Sequence, residues 1–316
     1  MNIVLTEGLG IPQTLLNQYT ARLEAAGHTF RAYAKTGDVQ ALRDEIREAD
    51  VIILANMPMP GAALNACTHL KMIDVAFTGV DHVDLAAAKA TGAVVSNASG
   101  YSTQAVAELA IEMMLSLLRN VPQVEARCRE GKDKTGLVGR ELKGKTVGIV
   151  GLGKIGMNTA RLCQAFGCRV IGTSPSRQSG ETAGVSCMPL EAVLSQSDIV
   201  VLHCPLTPAT RGMIDANAIA RMKDGALLIN LARGPVVDTA ALAAALESGK
   251  LGGAGIDVFE TEPPLPKEHP LLHTPNTLVT PHVAFASEES MALRAQIVFE
   301  NLDAFLRGEP QNLVEL

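Results

Sequence analysis

The sequence predicts an α/β protein built from two doubly wound parallel-sheet domains. Short apolar segments alternate with segments of helical periodicity along the chain, which is the pattern of strand–helix–strand units. The 316 residues also exceed the usual size of a single hydrophobic core. A glycine-rich strand-to-helix turn begins only at Gly151, near the middle of the chain, so a separate unit has to fold before it.

Residues 1–98 hold the first series of alternating elements. Strands are predicted at Ile3–Thr6, Val51–Ala55, Met72–Ala76 and Val94–Ser96, and helices at Gln13–Ala26, Val39–Glu48 and Leu85–Ala90. A long apolar helix follows at about Thr103–Arg119. The charged stretch Glu125–Lys145 after it is expected to be a loop-rich connector.

Val147 opens the second series. Its strands are predicted at Val147–Val150, Arg169–Thr173, Ile199–His203, Leu227–Asn230, Ala254–Asp257 and Leu278–Thr280, and its helices at Met157–Phe166, Leu190–Ser195, Asp215–Met222 and Thr239–Ser248. Ser287 is an N-cap candidate for a last helix that runs to about Arg307. We therefore predict one domain from residues 1–98 with 288–316 and a second from residues 99–287.

Composition excludes several function classes. Aromatic residues are only 3% and Trp is absent, which leaves few stacking platforms for nucleic acid, and the net charge of −6 also disfavours such a partner. No apolar run is long enough to span a membrane, and the N-terminus lacks a signal-peptide pattern. The six cysteines are scattered without a CxxC motif, so we expect reduced thiols in a cytoplasmic protein and no metal site.

The segment TVGIVGLGKIG combines a strand, a GxGxxG turn and the start of a helix. In a dinucleotide-binding turn the first glycine permits the tight bend, the second lets the pyrophosphate approach the backbone, and the third lets helix and strand pack closely. The phosphates would meet free N–H groups at the positive end of the helix. The motif between a strand and a helix predicts dinucleotide binding, and the residues concerned are Gly151, Gly153, Lys154, Ile155 and Gly156.

Three further motifs follow predicted strands, and they carry Arg233, Glu262 and His282. In open α/β sheets ligands bind beyond the carboxyl ends of the strands, so these three side chains are expected to converge. An arginine can hold a carboxylate and polarise a neighbouring carbonyl. A histidine titrates in the right range to supply the proton, and a carboxylate can orient its ring. Each residue alone is more often structural, but the set at strand ends beyond a dinucleotide turn predicts reduction of a 2-keto acid.

The segments VGIVGLGKIG, NLARGPVVD, GIDVFETEPP and TPHVAFAS resemble the D-isomer-specific 2-hydroxyacid dehydrogenase family in order and spacing, with a likeness to its glyoxylate and hydroxypyruvate reductases. Thr78-Gly79-Val80-Asp81 also resembles the loop of that family that binds the substrate carboxylate. The resemblance implies a flavodoxin-like substrate domain, completed by the C-terminal helix, with an inserted Rossmann NAD(P)-binding domain. It also implies a homodimer, for which Val106–Leu118 and the connector before Val147 could supply the contact, although packing within the chain explains the same apolar residues.

The resemblance assigns roles residue by residue. Arg233 would bind the substrate and polarise its carbonyl, His282 would be the acid/base, and Glu262 would be its partner. The backbone at Gly79 and Val80 would bind the substrate carboxylate. Cys204 reads equally well as a buried strand-end thiol. The remaining implied cofactor contacts are Thr103, Cys204, Pro205, Thr207, Thr210, Ala232 and Asp257.

The strand Arg169–Thr173 leads into Ser174-Pro175-Ser176-Arg177. An NAD-selective site usually has an acidic residue at the end of this strand, where it binds the ribose 2′-hydroxyl. Ser174 stands there instead, and the hydroxyls of Ser174 and Ser176 with Arg177 suit a 2′-phosphate better. NADP(H) is therefore favoured over NAD(H), with a neutral turn and a solvated Arg177 as the other interpretation.

Two other functions stay open from the sequence. A short form of 3-phosphoglycerate dehydrogenase shares the same motifs, although no cluster of Lys and Arg is evident for its phosphate. Some relatives are dinucleotide-sensing corepressors that bind partner peptides, and an intact Arg233, Glu262 and His282 set does not exclude that role. Formate and phosphite dehydrogenases share the fold and rank lower.

Overall fold

The computed structural model describes residues 1–316. The chain forms two compact units, one made of Met1–Ser102 with Ala286–Leu316 and the other of Thr103–Phe285. The chain thus leaves the first unit and later returns to it, which makes the second unit an insertion. The domain boundaries predicted from the sequence are 98/99 and 287/288. The assignment of substrate binding to the first domain and of cofactor binding to the second stays a prediction.

The first unit contains a five-stranded sheet in which every neighbouring pair is parallel. Its order is β2-β1-β3-β4-β5, which is the flavodoxin-type order. The strands are β1 Asn2–Leu5, β2 Thr29–Ala32, β3 Val51–Leu54, β4 Met72–Val75 and β5 Val94–Asn97. Strand β2 escaped prediction because it is an edge strand whose residues are mostly exposed, so it lacks the apolar signal of its neighbours.

Five helices belong to this unit: α1 Gln13–Ala25, α2 Val39–Ile46, α3 Gly61–Leu64, α4 Leu85–Thr91 and the last helix, α11 Glu288–Leu306. Helix α11 begins where the sequence predicted. The Ser287 hydroxyl accepts a hydrogen bond from the Ser290 backbone, and the Ser290 hydroxyl accepts one from the Ser287 backbone, so the two residues form a capping box.

The second unit contains an eight-stranded sheet in the order β13-β12-β11-β10-β6-β7-β9-β8. All of its neighbouring pairs are parallel except β8 with β9. The strands are β6 Thr146–Val150, β7 Arg169–Thr173, β8 Glu181–Thr182, β9 Val185–Cys187, β10 Ile199–Leu202, β11 Ala226–Asn230, β12 Leu251–Ile256 and β13 Thr277–Val279. The six strands predicted from sequence are present, but β9 lies beside β7, in the third place of the dinucleotide-binding order.

The helices of the second unit are α5 Thr103–Leu118, α6 Val121–Arg129, α7 Lys154–Ala165, α8 Leu190–Gln196, α9 Ala216–Arg221 and α10 Thr239–Glu247, with 3₁₀ helices at Gly234–Val236 and Pro270–Leu272. The prediction of a loop over Glu125–Lys145 was wrong at its start, because α6 continues to Arg129. A proline in the first turn of α6 and arginines in its last turn explain this helix.

Alternation along the strands builds two cores in the second unit. Val200 and Leu202 of β10 belong to one buried cluster, with residues of α8, α9 and α10. Ile199 and Val201 point to the other face, where they join residues of α5 and α7. Half of α5 is buried there, so packing within the unit accounts for its apolar residues. None of the helices has both the length and the apolar character needed to cross a membrane.

Candidate active site

The carboxyl ends of β11, β12 and β13 lie side by side in the second unit. Asn230 is in register with Ile256, and Ile256 is in register with Val279. The segments that follow these three residues carry Arg233, Glu262 and His282, so the sheet brings the three segments to one edge. Strand β6 ends at the same edge, because Val150 pairs with Leu202, which in turn pairs with Asn230.

Asn230 shapes the turn that presents Arg233. Its side-chain oxygen accepts the backbone N–H of Ala232 at 3.1 Å, and its amide group donates to the carbonyl of Arg233 at 3.1 Å. Arg233 itself has an extended backbone and begins a 3₁₀ turn. Its Nη1 donates to the carbonyl oxygen of Ala232 at 2.8 Å. The buried Asn230 side chain therefore fixes the backbone of the turn from which the Arg233 side chain extends.

Asp257 organises the segment that carries His282. This fully buried carboxylate accepts hydrogen bonds from the Thr280 hydroxyl at 2.6 Å, from the Val283 N–H at 2.8 Å and from the Ala284 N–H at 2.9 Å. The His282 N–H donates to the Asp257 carbonyl at 2.8 Å, and His282 adopts a positive φ of 55°. Burial raises the pKa of Asp257. Wrapping residues 280–284 around this side chain holds His282 in a conformation that non-glycine residues rarely adopt.

His282 and Glu262 form a close pair. Nδ1 of the imidazole lies 2.9 Å from both carboxylate oxygens of Glu262, while Phe285 packs edge-on against the ring at a centroid distance of 5.5 Å. The His282 side chain is 10% exposed and that of Glu262 is 52% exposed. The histidine is thus held inside the protein surface by a carboxylate that itself reaches toward solvent.

The Arg233 turn and the Glu262 segment touch through Gly234. A Cβ atom at Gly234 would overlap the carbonyl group of Phe259, so only glycine allows the two backbones to approach this closely. The three catalytic candidates are therefore linked in the second unit: Arg233 to the Glu262 segment by this contact, and Glu262 to His282 by hydrogen bonds.

The glycine turn has the geometry that a pyrophosphate needs. Gly151 has φ +104°, and a Cβ there would lie 2.6 Å from the backbone nitrogen of Cys204. A Cβ at Gly156 would overlap the Gly151 carbonyl, whereas a Cβ at Gly153 would meet open space. Gly153 is the N-cap of α7 and no side chain caps this helix. The first amides of α7, at Lys154, Ile155 and Gly156, can therefore hold an anion at the positive end of the helix.

The model for the NAD binding domain of D-isomer specific 2-hydroxyacid dehydrogenases matches residues 111–284, more than half of the chain. The chain belongs to this family. The dehydrogenase is an oxidoreductase that acts on CH–OH donors, and it transfers hydride between a nicotinamide dinucleotide and a 2-keto acid.

Relatives of the dehydrogenase match along nearly its whole length. A glycerate dehydrogenase of Methylorubrum extorquens is 38% identical over 298 residues, which cover 91% of this chain and 92% of that protein. A hydroxypyruvate reductase of Blautia hydrogenotrophica is 35% identical over 304 residues, covering 92% of this chain and 93% of that protein. A solved acyclic imino acid reductase in complex with NADPH and D-Arg has a TM-score of 0.92 and 25% identity, with 100% of both chains covered.

In the dehydrogenase, Ser174 and Arg177 close a tight turn after β7. Their backbones exchange two hydrogen bonds. The Ser174 N–H donates to the Arg177 carbonyl at 3.2 Å, and the Arg177 N–H donates to the Ser174 carbonyl at 3.0 Å. The hydroxyls of Ser174 and Ser176 lie 3.5 Å apart. Nη1 of Arg177 donates to the carbonyl of Leu152 at 3.1 Å. The guanidinium therefore reaches back to the glycine turn, although the Arg177 side chain stays exposed to solvent.

Several other residues predicted as cofactor contacts have structural partners in the dehydrogenase. The Thr210 hydroxyl donates to the Pro205 carbonyl at 2.7 Å and accepts the Thr207 N–H at 2.8 Å, so it closes the loop after Cys204. Burial raises the pKa of Cys204 to about 11, as expected of a buried thiol. The carbonyl of Thr103 accepts a hydrogen bond from Asn158 at 3.3 Å. Their contacts with a dinucleotide stay predictions.

Gly79 and Val80 belong to the first unit of the dehydrogenase. They follow β4, and the Val80 carbonyl accepts the Val83 N–H at 3.0 Å. The side chain of Asn97 donates to the carbonyl of Thr78 at 2.9 Å and so supports the start of this loop. Their binding of a substrate carboxylate stays a prediction.

Sequence reasoning missed residues that support the site. Asn230, Glu260, His269 and Phe285 each touch a catalytic candidate or its segment, and none was singled out. His203, at the end of β10, was read only as part of a strand. Its Nε2 lies 2.9 Å from the Thr159 hydroxyl of α7, and burial lowers the pKa of His203 to about 4. The one sequence signal for these residues was their nearness to the motifs.

Proposed function

We propose that this dehydrogenase reduces a small 2-keto acid such as glyoxylate or hydroxypyruvate with NADPH. In this proposal His282 is the acid/base, Glu262 orients it, and Arg233 binds the substrate. One observation carries the proposal: Nδ1 of His282 lies 2.9 Å from the Glu262 carboxylate, at the same sheet edge as the glycine turn. The relatives named glycerate dehydrogenase and hydroxypyruvate reductase support this substrate class.

Each residue has a defined task in the proposed reaction. Glu262 engages Nδ1 of His282, so Nε2 is the nitrogen that gives its proton to the carbonyl oxygen during reduction. The planar guanidinium of Arg233 holds the substrate carboxylate and draws charge from the carbonyl oxygen. The backbone at Gly79 and Val80 in the first unit is proposed to bind a substrate carboxylate. When bound, the reduced nicotinamide supplies the hydride.

The dinucleotide is proposed to bind along the glycine turn and the turn after β7. The amides at the start of α7 bind its pyrophosphate, and the open space at Gly153 leaves room for it. Ser174, Ser176 and Arg177 bind the 2′-phosphate, which makes NADP(H) the preferred cofactor. The turn that joins these three residues and the contact of Arg177 with Leu152 support this preference.

We also propose that the protein is a homodimer in the cytoplasm. Val121 and Val138, on the stretch that follows α5, are 47% and 79% exposed, and we place the contact between the two subunits on this stretch. Two-fold dimers are the commonest oligomers. All six cysteines are free thiols in the structure, which fits a reducing compartment. Sedimentation at micromolar concentration measures the oligomeric state.

The function is tested with a panel of small 2-keto acids against NADPH and NADH. We expect turnover of at least one acid in the wild type, and a loss of kcat of roughly 10²–10⁴-fold in His282→Ala, with NADPH still bound in a fluorescence titration. The exposed His69→Ala serves as the control and should keep its activity. An unchanged kcat in His282→Ala would rule out the mechanism. Tight NADPH binding without turnover of any acid would favour the sensor role.

A further inference from the structure

A second histidine–carboxylate pair lies two residues from Glu262. Nε2 of His269 is 3.2 Å from Oε2 of Glu260, and the His269 ring stands edge-on to Phe259 at a centroid distance of 5.3 Å and an angle of 85°. The His269 side chain is 12% exposed, and its buried Nδ1 has no hydrogen-bond partner. Glu260 is thus the polar partner of this ring, which is best satisfied with its proton on Nε2.

The other oxygen of Glu260 is also occupied. The hydroxyl of Thr239 donates a hydrogen bond to Oε1 of Glu260. Thr239 is the first residue of α10, whose Leu242 is fully buried. His269 precedes the 3₁₀ helix that buries Leu271 in the same core. Glu260 therefore joins two elements that are both anchored in the interior of the second unit.

These contacts bear on Glu262 because the segment that carries it lacks regular secondary structure. Residues 257–262 form neither helix nor strand, so side-chain contacts must determine their path. On one side the segment is fixed by the approach of Gly234 to Phe259. On the other side it is fixed by Glu260, through Thr239 and His269. The half-exposed carboxylate of Glu262 follows immediately, and its 2.9 Å contact with His282 depends on where this segment lies.

We propose that Glu260, Thr239 and His269 form a clamp that positions Glu262 against His282. The clamp residues do not touch the reacting atoms, so they are positioning residues rather than catalytic residues. The inference rests on the proposed acid–base role of His282. Displacement of a catalytic group by about 1 Å can cost about 100-fold in rate, so a loosened clamp should lower kcat while dinucleotide binding is retained.

Removal of the clamp is tested with Glu260→Ala. We expect kcat to fall about tenfold with no change in the NADPH dissociation constant. Glu260→Gln keeps an oxygen acceptor for Thr239 and should recover part of the loss. The exposed Glu247→Gln, at the other end of α10, is the matched control and should behave as the wild type. If Glu260→Ala folds poorly in a thermal melt, Thr239→Val removes only the hydroxyl and should lower kcat in the same way.

A double-variant cycle distinguishes positioning from general support of the fold. If the clamp acts through Glu262, then Glu260→Ala should add no further loss in a Glu262→Gln background. Losses that multiply in the double variant, or a normal kcat in both Glu260→Ala and Thr239→Val, would overturn the clamp. Full activity of His282→Ala would instead overturn the proposed function, so the two failures are separate outcomes.

Discussion

Ser174 shows how much of the cofactor question rests on one side chain. It follows the last residue of β7, at the position where an acidic residue would bind the ribose 2′-hydroxyl, and its backbone is fixed by the turn with Arg177. The contact of Arg177 with Leu152 adds a positive charge beside the glycine turn. Selectivity at such a site depends on repulsion as much as on attraction, so the charge at position 174 should be decisive.

A negative charge introduced at position 174 tests the cofactor preference. Ser174→Asp should lower kcat/KM with NADPH and raise it with NADH, changing their ratio by at least about tenfold, because the carboxylate repels the 2′-phosphate and accepts the ribose hydroxyl. Steady-state kinetics with each cofactor measure the ratio. In Ser174→Asn the new side chain has nearly the shape of aspartate but no charge, so this variant should change the ratio little. A strong NADPH preference that survives Ser174→Asp would contradict the 2′-phosphate site.

At the scale of elements, the site depends on the packing of irregular segments beyond three parallel strands. The strands align Asn230, Ile256 and Val279, but the loops after them need their own contacts. Asp257 gathers the His282 turn, Asn230 shapes the Arg233 turn, and Gly234 allows the Arg233 turn to touch Phe259. Loss of one such contact should separate groups that the strands alone cannot align.

Gly234→Ala tests this packing. The added methyl group overlaps the carbonyl of Phe259, so the two backbones must move apart. We expect kcat to fall by about 100-fold through the displacement of Arg233 and Glu262, and the free energy of unfolding to fall by about 1–3 kcal/mol. Kinetics and urea unfolding measure both effects. Gly37→Ala, where the methyl group meets open space, is the control. Wild-type values in Gly234→Ala would show that the close approach is not required.

At the scale of the whole molecule, the chain must return from the inserted unit to complete the first one. A buried network of hydrogen bonds joins the last helix, α11, to the first sheet. The Asn301 amide of α11 donates to the Asp74 side chain of β4 and to the Asn97 carbonyl of β5, both at 3.1 Å. Asn312 donates to the Asn301 side chain at 2.7 Å. Complete burial raises the pKa of Asp74 from 3.8 to about 8, so the network contains a neutral carboxyl at pH 7.

This carboxyl predicts a pH dependence of stability. Between about pH 4 and pH 8 the folded state keeps the Asp74 proton while the unfolded chain has lost it. The contribution of Asp74 to stability is therefore present at low pH and is lost as the pH rises toward 8. Urea unfolding at pH 6, 7 and 8 should show falling stability, and Asp74→Asn should flatten the slope. An equal slope in Asp74→Asn would exclude Asp74 as its cause.

Local patterns in the sequence account for most elements and for the catalytic candidates. The buried strands and the capped helix α11 were predictable because apolar runs and Ser287 act within a few residues of chain. The strand-end positions of Arg233, Glu262 and His282 were predictable because parallel strands share one carboxyl edge. Edge strand β2 and the short β8 and β9 were not predictable, since they lack a continuous apolar run.

Local patterns along the chain predict the fold class, the family resemblance and the residues that carry the proposed chemistry. How those residues are held depends on tertiary contacts. Asp257 lies more than twenty residues from the turn that it holds together. Gly234 follows β11 and contacts Phe259, which follows β12. Thr239, at the start of α10, bonds Glu260, which lies beyond β12. Such contacts join segments with no shared local pattern, and they form only when the folded sheet brings distant parts of the chain together.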